Sequence, residues 1–269
     1  MLSSRSRGTA AILLMTLGLA GFGRCGPEWE LTWREEFDGP AGQAPNAAVW
    51  THDVGTGWGN QQLEFDTDRT ENAALDGQGN LAIVARRESW QGSNYTSARI
   101  VTKGKVERKY GRIEARIQLP AGQGLWPAFW LLGANIDQVG WPTCGEIDVM
   151  EFRGQAPGVA IGSLHGPGYS AGNSISSTLT LPEGQGFDQG FHVFGIEWDE
   201  GLITWNVDGR VYHSVGRADL PAGAAWVFDQ PFYVILNLAV GGNFVGPPNA
   251  ATQFPATMLV DWVRVYERG

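Results

Sequence analysis

Arg112-Ile113-Glu114-Ala115-Arg116-Ile117-Gln118-Leu119 alternates polar and apolar residues at every step. Successive side chains of an extended strand point to opposite faces, so this stretch reads as a strand with one face on a core. The same period of two recurs outward from it, at residues 81–86, 192–198, 232–238 and 259–266. Residues 203–207 and 210–214 flank Asp208-Gly209, a dipeptide suited to the positive φ angles of a two-residue hairpin turn. No apolar 3.6-residue period follows the N-terminal segment. With 38 Gly and 14 Pro to punctuate short strands, the expected fold is all-β: two antiparallel sheets packed as one sandwich over residues 27–269.

The 269 residues carry a formal net charge of −9, with 43% hydrophobic and 17% charged residues. That is too apolar for a disordered chain, and there is no basic excess to neutralise nucleic-acid phosphates. The 12 Trp exceed what a core of this size needs, so some are expected to face a ligand, and indole faces suit sugar rings. Residues 1–24 have Arg5 and Arg7, then an apolar run over 10–22 and small residues, the pattern of a secretory signal peptide. The run is too short to span a bilayer, and no other stretch is apolar enough. The expected product is a secreted or periplasmic monomer without a membrane span. Arg24 stands where a lipidation signal wants a small residue, which argues against a lipid anchor on Cys25. The other cysteine, Cys144, reads as a small buried residue.

The sharpest chemistry lies in Glu146-Ile147-Asp148-Val149-Met150-Glu151-Phe152. On a regular strand Glu146 and Asp148 share a face, and Glu151 would turn inward with the core residues. Burying an unpaired carboxylate is costly, so the pattern predicts a β-bulge near Met150 that returns Glu151 to the face of the other two. Repulsion among three carboxylates in a row raises at least one pKa. Glycosidic cleavage needs that division, one ionised carboxylate and one protonated carboxyl, with Asp148 placed to tune its neighbour. A solvated acidic face or a calcium site would fit the same three residues.

The hexapeptide 146–151 resembles the bulged active-site signature of glycoside hydrolase family 16. Further stretches look like the laminarinases of that family: Glu35-Glu36-Phe37-Asp38-Gly39, Gly57-Trp58-Gly59-Asn60-Gln61, Tyr110-Gly111-Arg112, Leu125-Trp126-Pro127-Ala128-Phe129-Trp130 and Val260-Asp261-Trp262-Val263-Arg264. The resemblance implies a β-jelly-roll with an open glucan-binding cleft, retaining endo-β-1,3-glucanase activity, Glu146 as nucleophile, Glu151 as acid/base and Asp148 as the assisting carboxylate. It implies substrate contacts at Trp58, Asn60, Arg86, Trp126, Trp130, Trp141 and His165. No cofactor is implied for catalysis, and a structural Ca²⁺ would fall on Glu36, Gly79 and Asp261.

Mixed-linkage β-1,3(4)-glucan and the galactans cut by agar- and carrageenan-cleaving relatives are the rival substrates. Met150 argues against a strict lichenase, whose signature is one residue shorter. A non-catalytic β-glucan-binding protein is the rival of another class, and the presence of both Glu146 and Glu151 speaks against it.

Overall fold

The structure is a computed structural model that describes residues 28–269. The leader over 1–24 and Cys25 lie outside the described residues. Two sheets pack face to face. The eight-stranded sheet runs Ile175–Thr180, Val159–His165, Glu146–Phe152, Leu125–Gly133, Phe232–Val240, Arg99–Val101 and Thr51–His52, with Glu107–Arg108 added beside Phe232–Val240. The ten-stranded sheet includes Arg210–Gly216, Leu202–Val207, His192–Asp199, Gly111–Gln118, Ala256–Arg268 and Leu81–Trp90 in that order. The pairing is antiparallel except between Glu64–Asp66 and Ser93–Ser97, which run parallel.

Alternation builds the core as expected. Ile113, Ala115 and Ile117 are fully buried and meet Leu81, Ile83, Val263 and Val265 from the same sheet and Ile147, Phe129 and Phe152 from the other. Asp208 and Gly209 take φ angles of 51° and 75°, the conformation that the hairpin turn demands. Several strands run longer than the sequence pattern marks, among them Leu81–Trp90 and Ala256–Arg268. One departure is instructive. Glu114, on the polar side of its strand, is buried too: Arg112 pairs with it and Gly195 of the neighbouring strand packs against its stem.

The packing beneath the carboxylate strand fixes its position. The indole N–H of fully buried Trp205 donates to the Asp148 main-chain oxygen at 2.8 Å, tying the ten-stranded sheet to the strand above it. Gly162, on the adjacent Val159–His165 strand, makes room for this. A Cβ there would lie 2.6 Å from both Trp205 Cδ1 and the Tyr212 hydroxyl, closer than any van der Waals contact.

Candidate active site

The Glu146–Phe152 strand carries the bulge that its acids require. Ala128 pairs with Glu151 and Phe129 with Met150, but Trp130 pairs with Asp148, leaving Val149 as the extra residue. The other neighbour shows the same slip, with Asp148 opposite Ser163 and Glu151 opposite Ile161. Ile147, Val149, Met150 and Phe152 all enter the core, and Glu146, Asp148 and Glu151 are turned away from it together. The short side chain of Ala128, directly across from Glu151, leaves space for the carboxyl.

Few groups balance these acids. The Trp141 indole N–H donates to Glu146 Oε2 at 2.8 Å, and the Trp126 indole N–H donates to Glu151 Oε1 at 3.1 Å. Asp148 shares a side-chain hydrogen bond with Glu146. Burial pushes Glu146 up to about 8, and the Asp148 charge adds to it; His165, the Trp141 N–H and Arg99 pull the other way. Burial pushes Asp148 up to about 7. Glu151 is pushed up to about 8, first by burial and then by two carboxylates, Asp148 and Glu146. The two glutamates therefore differ in company. Both feel His165 and one indole N–H; Arg99 adds its pull on Glu146, and Glu151 meets two carboxylates where Glu146 meets one.

His165 lies across the strand pair from Glu146. Its Nε2 is 3.0 Å from Asp148 Oδ2 and 3.8 Å from Glu146 Oε1. Glu146, Asp148 and His165 bring potential ligand atoms within 4.8 Å of one another, a spacing that invites a metal reading. The ring's other nitrogen decides against it. His165 Nδ1 accepts the Ala171 N–H at 3.1 Å, so the imidazole proton sits on Nε2. The nitrogen that faces the carboxylates is thus a donor, without the lone pair that a metal needs.

A wall of aromatic side chains flanks the acids. Trp126 stacks on Phe244 with ring centroids 4.8 Å apart, and the Trp130 indole N–H donates to Asn237 Oδ1 at 2.8 Å. Trp141 is 45% exposed and free to meet a ligand. Sequence reasoning missed Arg99. Its guanidinium lies over both Trp130 (4.7 Å) and Trp58 (5.0 Å), and its Nε donates to Asp53 Oδ2 at 2.9 Å. It thus joins Trp58 to the carboxylate neighbourhood. No periodicity marks Arg99; the only available signal was a single cation in an apolar strand, Arg99-Ile100-Val101. Asn60 has a positive φ of 52° in the loop beside Trp58, and its main-chain oxygen accepts the Asn243 N–H at 2.7 Å.

Two expectations need correction. Arg86 is not with the carboxylates. It stands on Leu81–Trp90 in the ten-stranded sheet, on the face opposite Leu81, Ile83 and Ala85, and lines a separate hollow of about 470 Å³ with Arg87, Glu88, Thr252 and Phe254. The expected calcium set is not arranged as a cradle either. Both Glu36 oxygens accept from Arg264 at 2.9 Å, and Asp261 pairs with Arg116. Both Glu36 carboxylate oxygens are thus engaged by one guanidinium, while Asp261 has only Oδ2 in its ion pair. Gly79 lies near Asp38 instead.

Comparison with known proteins agrees with this geometry. The profile of the glycosyl hydrolases family 16 matches residues 50–264. A β-glucanase of Rhodothermus marinus is 40% identical over 98% of this chain and 96% of its own length. The crystal structure of an endo-β-1,3-glucanase from Pyrococcus furiosus superposes with a TM-score of 0.86 at 48% identity, covering 91% of this chain and 97% of that one. The laminarinase catalytic domain of Thermotoga maritima gives 0.85 at 47% identity, over 90% of this chain and 99% of its own. A bulged strand with three unneutralised carboxylates, on a sandwich shared almost end to end with these enzymes, places the chain in glycosyl hydrolases family 16.

Proposed function

We propose that this protein cleaves β-1,3-linked glucan within the chain and retains the configuration of the anomeric carbon. The arrangement of Glu146 and Glu151 carries the reading: one face, one bulged strand, an indole N–H on each, and Asp148 buried between. The relatives described as endo-β-1,3-glucanase and laminarinase support the substrate.

Glu146 is the nucleophile, since Trp141, His165 and Arg99 favour its ionised form. Its carboxylate oxygen bonds to the anomeric carbon as the glycosidic bond breaks. Glu151 gives its proton to the departing sugar oxygen. Water then replaces the departed sugar. Glu151, now ionised, takes a proton from that water, whose oxygen bonds to the anomeric carbon. The bond to Glu146 breaks and its carboxylate is restored. Two inversions give net retention. Asp148 holds Glu146 in line through their shared hydrogen bond, and His165 Nε2–H faces Asp148 throughout. Trp141, exposed beside the acids, and the half-buried Trp130 and Trp58 offer apolar surface on which sugar rings shed water.

The sign of the pH dependence follows. Activity needs Glu146 ionised and Glu151 protonated, so kcat/KM is bell-shaped, and burial, which raises both glutamates, moves the bell toward neutral pH from the ordinary carboxylate range. Product analysis on laminarin, barley mixed-linkage glucan and agarose tests the substrate. Oligosaccharides released early from laminarin, with the β-anomer first in proton NMR, are the expected result. Equal cutting of barley glucan would widen the substrate to β-1,3(4)-glucan. Cleavage of agarose alone would overturn the glucan reading. Binding without release from any of the three would turn the protein into a glucan-binding module.

The basic, apolar and small-residue order of residues 1–24 supports export, and the reading takes the mature protein as a secreted or periplasmic monomer. N-terminal sequencing and light scattering of the exported protein check both points. Among the described residues no helix is long and apolar enough to cross a membrane.

A further inference from the structure

Glu64 and Asp66 occupy alternate positions of one short strand, so they share a face, and both are buried to within 2%. The reaction uses neither. Glu64 Oε2 accepts the Val240 N–H at 2.7 Å. Asp66 is held through its backbone, which exchanges hydrogen bonds with Gly55 (2.7 and 2.9 Å) and so anchors the start of the loop that carries Trp58. Trp58 Nε1 and Asp66 Oδ1 are both buried without a well-formed hydrogen bond. The indole N–H lies close enough to the Asp66 carboxyl to favour its charge. On the far side of Trp58 stands Arg99, whose guanidinium is stacked between the rings of Trp58 and Trp130.

Charge counting makes this pair unusual. The cation facing it is Arg99, from the Arg99–Val101 strand, and Asp53 already binds that guanidinium. The other titratable groups packed round it are His52 and Asp53, from Thr51–His52 and the turn after it, and Tyr95, which pairs with Glu64 across the parallel ladder. From Phe232–Val240 come uncharged groups, the Val240 N–H and Asn237. Two buried carboxyls thus share one cation that is already paired, and burial pushes Glu64 up to about 7 and Asp66 well above its ordinary range, with the Glu64 charge adding to Asp66 and Arg99 pulling both down. In acidic solution the pair holds its protons. A neutral Asp66 has a carbonyl to accept the Trp58 N–H and a hydroxyl to give to a neighbour.

We propose that Glu64 and Asp66 are positioning residues: as a buried carboxyl pair they hold Trp58 and Arg99 in place as the wall of the cleft and so set the affinity for glucan. This rests on the glucanase reading. The wall stands beside the acids, since Trp130 pairs with Asp148 and Arg99 is close enough to Glu146 to lower its pKa. When the pair ionises, charge accumulates beside Trp58 and pulls Arg99 away from its stack with Trp130, which rearranges the wall.

Steady-state kinetics of Asp66→Ala, Asp66→Asn and Glu64→Gln on laminarin, from about pH 5 to about pH 9, give the test. Asp66→Ala should raise KM about tenfold, the size of one lost aromatic contact, with kcat within about twofold of the parent. Asp66→Asn keeps an acceptor for Trp58 without charge and should restore KM in acid solution. In the parent, KM should climb above about pH 7 as the pair ionises, and in Asp66→Asn and Glu64→Gln that climb should flatten. Laminari-oligosaccharide titrations read by tryptophan fluorescence should follow KM. A KM unmoved by Asp66→Ala, a loss confined to kcat, or Asp66→Asn as defective in acid as Asp66→Ala would overturn the proposal. Should Asp66→Ala fail to fold, the pH profiles of the two isosteric variants decide alone. Failure of the glucanase reading is a separate outcome, because the parent itself would then release nothing from laminarin.

Discussion

Acids line strands on the outer faces of both sheets, and the two regions treat them oppositely. On and beside the ten-stranded sheet three acids each have a guanidinium: Arg112 with Glu114, Arg116 with Asp261, Arg264 with Glu36. Arg264 holds Glu36 below its ordinary range. On the eight-stranded sheet Glu146, Asp148 and Glu151 share one histidine and two indole N–H groups, and all three are pushed up. The residue types and their alternation are the same. An arginine offsets what burial does to an acid: partly exposed Glu36 is lowered outright, buried Glu114 is raised in spite of Arg112, and the active-site acids, with no guanidinium bound to them, are raised to about 7 or 8.

The largest expected effect breaks this contrast at its reactive end. Glu146→Ala and Glu151→Ala should each lower kcat by about a thousandfold or more, while Glu36→Ala, in the paired region, leaves laminarin turnover at the parent level. Comparable losses from all three variants would mean that pairing does not distinguish the regions.

Next in size is the pH dependence of stability, where the regions should show opposite signs. The active-site acids have raised values, so their contribution is intact below the ordinary carboxylate range and is lost as pH rises toward about 8. Melting temperature should therefore fall by several degrees between mildly acidic and mildly alkaline buffer, and Glu146→Gln should remove part of that fall and stabilise the protein at the alkaline end. A melting temperature that rises across this window would refute the burial argument.

Glu36 works the other way. Its contribution is present above its ordinary pKa and lost as acid protonates it. Glu36→Gln should cost about 0.5–1 kcal/mol in denaturant melts at neutral pH and less in acid, the modest value of a partly exposed pair. The smallest effect concerns calcium. With Glu36 and Asp261 already bound to arginines, Ca²⁺ or a chelator should leave the melting temperature unchanged. A rise of several degrees on adding Ca²⁺ would show that the arginines yield their partners.

Period-two alternation made strands such as Gly111–Gln118 and Leu81–Trp90 legible, whereas Phe232–Val240, buried on both faces, carries an almost continuous apolar run. The bulge was legible for an energetic reason: Glu151 had nowhere to go without it. Trp141 was found through its closeness in sequence to the acids and Trp126 through the face it shares with Trp130, and the structure bonds each to a catalytic carboxyl. What stayed hidden depends on approach in space. Arg99 meets Trp130 and Trp58 only because three distant segments converge. Glu64 and Asp66 look like ordinary loop acids until the parallel strand pairing buries them. Arg86 was expected in the cleft from resemblance; alternation of its strand says which face the side chain takes and not which sheet the strand joins. Glu36 and Asp261 carried the right donor atoms, but sequence does not reveal that Arg264 and Arg116 reach them first.

The bulge at Val149 also frees the catalytic strand from a rule of parity. On a regular strand, adding or deleting one residue exchanges the two faces of everything beyond it. Here Val149 and Met150 both point inward, so the strand absorbs an odd residue while the segments on either side keep their facing. Without one of these two residues, Glu146, Asp148 and the last glutamate would fall on one face of a flat strand. The facing of the acids survives a change of one in length; the reach between Glu146 and Glu151, and one side chain's worth of core, do not. Length variation at this point of the chain is thus a route to a differently spaced site on the same fold.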